Sequence, residues 1–129
     1  MAVDKEKQGR LNRKHGAQFE LDVRANYEAK GWTIGKWQNN INLETGEIIN
    51  AKNYFIPGRG AMLGAGFPDF VLFKKRTDDY EVLFIECKLN GRLTAEEKKK
   101  LNVMVKKGHR CFIAYKDDGE IATREFLEY

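Results

Sequence analysis

Cysteine is scarce in this chain of 129 residues, with Cys87 and Cys111 the only two. Two thiols build no disulfide framework, and both fit a reducing compartment as small buried apolar side chains. A chain of this length buries roughly two-thirds of its unfolded surface, so it needs no covalent staple. Long apolar runs are absent too: none approaches the ~20 residues that cross a bilayer. The start, Met1-Ala2-Val3-Asp4-Lys5-Glu6-Lys7, has no hydrophobic signal core, so the expected address is cytoplasmic, with no membrane partner. His15, His109 and the two cysteines lack zinc-site spacing. In Gly58-Arg59-Gly60-Ala61-Met62-Leu63-Gly64 the third glycine is one residue late for a dinucleotide fingerprint, and a strand rather than a helix is expected after it. No P-loop occurs, so no nucleotide cofactor is implied. Internal repeats and low-complexity segments are also missing.

What is present describes a globular protein. Apolar residues make up 42%, charged residues 33% and aromatic residues 12%, which argues against wholesale disorder and for one domain over 1–129. Within it, 1–10 reads as a flexible polar arm and 39–66 as a polar excursion followed by a glycine-rich loop. Lysine and arginine number 23 against 19 acids, a net charge of +4. The distribution says more than the sum. From Gly91 to Lys116 eight basic residues face only Glu96 and Glu97, while Asp117 to Tyr129 is acidic. The arm adds Arg10, Arg13 and Lys14. Two basic clusters suit a polyanion, because lysine and arginine displace phosphate counterions. Lys98-Lys99-Lys100 taken alone reads equally well as a solvated helix face.

The pattern predicts the order α-β-(excursion)-β-β-α-β-α. A first helix spans about Leu11 to Lys30, with Phe19, Val23 and Tyr27 on its apolar face and Gly31 as its stop. Trp32 to Gln38 reads as a strand with Trp32, Ile34 and Lys36 alternating. Thr45-Gly46, between Ile41-Asn42-Leu43 and Glu47-Ile48-Ile49, suggests a hairpin. Phe70 to Phe73 is a short strand, Lys74 to Asp79 a charged turn and Tyr80 to Leu89 the strongest strand. Thr94-Ala95-Glu96-Glu97 is a capping box that opens a helix running to Lys107. Cys111 to Tyr115 is another buried strand, Asp117-Asp118-Gly119 a turn, and a short helix is expected after Thr123. Mixed strands and helices around one small sheet place the chain in the α/β class.

Three residues in this frame carry chemistry. Asp69 enters one strand, and Glu86 and Lys88 end the next. Strand alternation points Glu86 and Lys88 to one face and Cys87 to the other. If the two strands pair through the Lys74–Asp79 turn, Asp69 and Glu86 become neighbours. Paired carboxylates repel unless a cation lies between them, and oxygen ligands of this kind suit Mg²⁺, with Mn²⁺ able to substitute. Lys88 would sit beside the same site, placed to orient water, help deprotonate it or stabilise charge on a phosphate. The plain alternatives are a Pro-Asp turn and an exposed Glu-x-Lys pair. For Cys87, core packing outweighs nucleophilic catalysis. Trp32 and Trp37 read as core residues rather than base-stacking platforms.

Gly66-Phe67-Pro68-Asp69, followed seventeen positions after the aspartate by Glu86-Cys87-Lys88, resembles the PD-(D/E)XK nuclease superfamily. Gly16-Ala17-Gln18-Phe19-Glu20 resembles the Gly-x-x-x-Glu of Holliday junction resolvases of the archaeal type. Gly91 to Lys98, with the helix and strand after it, is similar to the corresponding segment of VRR-Nuc domains. The resemblance covers about residues 12–116. It implies a restriction-endonuclease-like core of α-β-β-β-α-β order. It further implies hydrolysis of DNA phosphodiesters to 5′-phosphate and 3′-hydroxyl ends. Asp69 and Glu86 would ligate the metal, Lys88 would be the catalytic lysine and Glu20 would support the metal site. Arg13, Lys14, Arg59, Lys98, Lys99 and Lys100 would hold phosphates. With no module for base readout, branched DNA is the expected substrate. A Holliday junction resolvase acting as a homodimer is the favoured form. A flap or single-strand nuclease of VRR-Nuc type is the neighbouring alternative, and an inactive DNA-binding or docking module the alternative of another class. Two departures stand out. VRR-Nuc domains usually carry glutamine where this chain has Glu97, a capping residue that also has the spacing to point at the sheet. Archaeal resolvases carry a serine in the loop before the aspartate, and 57–66 has none.

Overall fold

The computed structural model describes residues 4–51, 54–56, 60–62 and 66–129, the two short segments by backbone alone. Helix α1 spans Lys5–Ala29. It begins six residues earlier than its apolar pattern predicts, so 5–10 is helix rather than a flexible arm. The cause is Asp4, an N-cap whose carboxylate accepts the Lys7 N–H at 3.2 Å, followed by good helix formers. The helix ends as expected: Gly31, at φ 88°, turns the chain and Trp32 N–H donates back to the Tyr27 carbonyl.

Strand β1 (Thr33–Lys36) follows, then two hairpins: β2 (Asn39–Asn42) with β3 (Glu47–Asn50), and β4 (Tyr54–Ile56) with β5 (Gly60–Met62). The first hairpin turns at Thr45-Gly46, as its sequence suggests, with Gly46 at φ 72°. The second lies where a continuous loop was expected; paired backbone occupies part of the glycine-rich stretch. Residues 57–59 and 63–65, including Arg59, lie outside the described residues. Then come β6 (Phe70–Lys75), β7 (Tyr80–Cys87), α2 (Ala95–Lys106), β8 (Arg110–Asp117) and β9 (Glu120–Phe126).

The expected final helix is a strand. Asp118 (φ 50°) and Gly119 (φ 80°) both take left-handed backbone, the requirement of a two-residue hairpin turn. That turn folds β9 back on β8 in antiparallel register, Asp117 opposite Glu120 through Cys111 opposite Phe126.

One five-stranded sheet, ordered β1-β6-β7-β8-β9, organises the molecule. Only β7 and β8 run parallel, and α2 is their crossover. Alternation along the strands feeds two cores. Phe19, Val23 and Tyr27 of α1 pack with Ile34, Phe70, Leu72, Leu83 and Ile85 on one face. Leu101 and Met104 of α2 pack with Phe67, Phe84, Cys111, Ile113 and Ile41 of the first hairpin on the other. The result is the expected α/β class, one small mixed sheet flanked by helices. Among the described residues, no helix is long and apolar enough to cross a membrane.

Candidate active site

The β6–β7 hairpin determines the site. Phe70 is opposite Ile85, so one step further along the register Asp69 meets Glu86. The entry to β6 is tightly seated. Trp37 N–H donates to the Asp69 carbonyl at 3.1 Å, and Phe67 N–H to the Asn39 carbonyl at 2.7 Å. Gly66 has no alternative residue here, because a Cβ at that position would lie 1.7 Å from the Trp37 carbonyl oxygen. Asp69 Oδ2 accepts the Cys87 N–H at 2.8 Å, which ties its carboxylate to the end of β7.

Glu86 is the buried member, only 4% exposed. One of its oxygens, Oε1, makes no hydrogen bond among the described residues. The other lies 3.6 Å from the Lys88 Nζ. Lys88 also pairs with Glu97 at hydrogen-bond distance. Glu97 serves two ends at once. Its Oε1 accepts the Thr94 N–H at 2.8 Å, closing the capping box, while its Oε2 holds Lys88. The capping reading and the sheet-facing reading of Glu97 therefore hold together. Glu97 is on the same helical stripe as Leu101 and Met104, the buried face of α2.

Protonation follows from this crowding. Burial first, and the neighbouring Asp69 carboxylate second, push Glu86 far above the ordinary carboxylate range. Burial also raises Asp69, against the lowering effect of Glu86 and the Cys87 N–H. For Lys88, burial pulls down, but Glu97 and Glu86 outweigh it and hold the ammonium more firmly charged. Burial would raise Glu97, yet Lys88 and the Thr94 N–H keep its carboxyl below the usual value. Cys87 packs toward the α1 core, and burial, with the nearby carboxylates, pushes its thiol up, away from nucleophilic thiolate.

Glu20 approaches from the other face of the sheet. It pairs with Lys36 at 2.6 Å, and Lys36 and Glu20 both act electrostatically on Asp69. The two line a cavity of about 260 Å³ with Ala17, Leu21, Arg24 and Phe70. Lys36 was not among the residues singled out from sequence; its signal was its place in the inward alternation of Trp32, Ile34 and Lys36. Among the described residues no three His, Cys, Asp or Glu side chains converge at metal-binding distance; Glu20 is engaged by Lys36 and Glu97 by Lys88. The donor set nonetheless fits a hard divalent cation: two facing carboxylates, one with a buried oxygen that lacks a partner, are what such an ion neutralises.

The expected phosphate contacts are distributed. Arg13 and Lys14 are exposed on α1, before its packed half. Lys98 and Lys99 are exposed on α2. Lys100 is mostly covered, 3.5 Å from Glu96 and over the Phe67 ring.

Residues 59–117 match the family model of the VRR-NUC domain. The matched segment, somewhat under half of the chain, holds Asp69, Glu86, Lys88 and Glu97. Glu20 and Lys36 precede the matched segment. No curated protein and no solved structure matches the chain.

Proposed function

We propose that this chain is a divalent-metal-dependent, structure-specific endodeoxyribonuclease that cuts branched DNA. The observation that carries the reading is the Asp69–Glu86 pair with its unpartnered buried oxygen and Lys88 alongside. Asp69 and Glu86 would hold Mg²⁺, or Mn²⁺ in its place, with Glu20 in support. When bound, such an ion lowers the pKa of water and offsets charge on a phosphate. Lys88, fastened by Glu86 and Glu97, presents a fixed ammonium that donates to a phosphate oxygen or a water and stabilises developing charge. Its raised pKa favours that role over proton abstraction. Lys36 keeps Glu20 oriented at the margin of the same site. The products would carry 5′-phosphate and 3′-hydroxyl ends.

Two kinds of branch remain in contention, each with its own support. Gly16-x-x-x-Glu20, with Glu20 at the margin of the site, favours four-way junctions. Paired symmetric cuts would then require a twofold homodimer. The VRR-NUC match favours flaps and single-strand branches. Cleavage of end-labelled junction, flap, single-strand and linear duplex DNA, with Mg²⁺ and with EDTA, decides between them. Paired nicks in the junction alone identify a resolvase, whereas flap cutting identifies the VRR-NUC type. The test includes Glu86→Ala, in which cleavage of every substrate is expected to vanish. Persistence of full activity in EDTA would sink the metal reading.

A further inference from the structure

The first half of α1 is unburied, and only its last turn, at His15 and Gln18, borders a cavity shared with Leu89 and Lys116. None of residues 4–18 is buried, and packing begins only at Phe19. Segment 4–18 nevertheless keeps helical hydrogen bonding, started by the Asp4 cap. An unpacked helical half is marginal on its own, so its sequence reflects something other than the core. It carries Lys5, Lys7, Arg10, Arg13 and Lys14 against Asp4 and Glu6. Among the described residues none of these five cations is in an ion pair.

The cations are not evenly spread around the helix. At about 100° per residue, Arg13 is seven positions before Glu20 and falls within ~20° of its stripe. Gly16 and Gly9 lie within ~40° of that stripe, whereas Arg10 lies ~80° from it, three positions before Arg13 and on the same side as Arg13. Lys7 and Lys14 project from the far side, roughly 120–140° away. Each mid-helix glycine costs ~1 kcal/mol relative to alanine. No packing within the protein calls for it at Gly16, where a Cβ would meet nothing within 4 Å. From Glu20, Arg13 is ~10 Å and Arg10 ~15 Å along the axis. That is on the order of three to four base steps of duplex.

We propose that Gly9, Arg10, Arg13 and Gly16 form a track, continuous with the Glu20 margin of the active site, that seats the sugar–phosphate backbone of the duplex arm beside the branch. This rests on the nuclease reading above and specifies the substrate: a branch with duplex on that side. Duplex fits better than single strand because 4–18 contains no Phe, Tyr or Trp, so it offers no aromatic platform for unpaired bases. The contacts are electrostatic and free of sequence readout.

The test compares wild type, Arg10→Ala/Arg13→Ala and, with the same charge removed elsewhere, Lys7→Ala/Lys75→Ala, Lys75 being exposed at the end of β6. The full-length proteins are titrated by fluorescence anisotropy in EDTA against a flap with a duplex arm and against single strand, from 50 to 200 mM salt. Cleavage is measured in parallel with Mg²⁺. Alanine preserves helix propensity, and circular dichroism checks that it does. The arginine pair should lower the salt slope for the duplex-armed DNA by about two. It should weaken binding by about tenfold or more and raise KM while sparing kcat. The lysine pair should lower the slope by less than one, and single-strand binding should change little for either. Equal losses from both pairs, or no loss from the arginine pair, overturn the track. A wild type that binds with these slopes but cuts nothing overturns the nuclease reading and leaves the track standing. A wild type that binds no DNA overturns both.

Discussion

Glu86 is the residue on which stability and chemistry pull apart. Its carboxyl is buried against Asp69, so the metal-free protein carries either an extra proton or an unrelieved charge. Both carboxyls of the pair are raised, so the folded state retains protons that the unfolded chain has released above roughly pH 4. Stability from the protonated pair is complete below the ordinary carboxylate range and is lost as pH rises through the raised values. Glu86→Gln removes the charge and keeps the shape. In EDTA it should melt above wild type at pH 8, by on the order of 1–3 kcal/mol, and the gap should close toward pH 4. Cleavage should fall by more than ~10²-fold. A variant that is less stable than wild type at pH 8 would show that the pair is not strained. Gly66 is the opposite case, where shape alone decides. With the Trp37 carbonyl 1.7 Å from the new carbon, Gly66→Ala must shift the turn that delivers Asp69. It should cost more than ~2 kcal/mol in urea melts and depress cleavage at saturating DNA. Wild-type behaviour on both counts would place the turn elsewhere.

At the scale of elements, α2 contributes through its first turn. Thr94→Ala deletes the acceptor of the Glu97 N–H but leaves the Thr94 N–H to Glu97 bond intact. The expected cost is ~1 kcal/mol in denaturant midpoint, with Lys88 still anchored and cleavage within a few-fold of wild type. A collapse of activity at unchanged stability would mean that the cap, not Glu97, positions the lysine. These elements also show what a sequence makes legible. The β6–β7 pairing and the opposition of Asp69 and Glu86 followed from alternation and a charged turn, both local signals. The capping box did too, being four residues of side-chain chemistry. The N-terminal start of α1 was missed because periodicity finds only packed turns, and residues 5–10 bury no side chain; Asp4 was the available cue. Strand β9 was missed because its burial is partial and irregular, so no period marks it. What decides it is the backbone sign at Asp118-Gly119. Lys36 was legible as a position but not as a partner, since its bond to Glu20 joins residues sixteen apart across a helix–sheet boundary.

For the whole molecule, the location of the site links metal binding to global folding. Asp69 belongs to the β6 entry, which is fastened to Trp37 and Asn39. Glu86 belongs to β7, central between β6 and β8, and Lys88 directly follows its last residue. Glu97 belongs to α2 and Glu20 to α1, the helices that seal the two opposite cores. No such cluster persists in an unfolded chain, so an ion held there binds the native state almost exclusively. By mass action it should add about 2.7 kcal/mol at a free concentration 100 times Kd. For a chain of this size that corresponds to a rise in Tm of about 8 °C. Thermal melts followed by circular dichroism at pH 7.5, with Mg²⁺ against EDTA, should show that rise in wild type. Lys99→Ala, on the outward face of α2, should show it undiminished. Asp69→Asn and Glu86→Gln should lose most of it, since each removes one of the two carboxylates that would hold the ion. The rise should also shrink steadily as pH falls from 7.5, because protons compete for the oxygens of a pair whose carboxyls are both raised. Equal shifts in all four proteins would instead indicate ions spread over the surface, and the Asp69–Glu86 pair would then have no claim to be a metal centre.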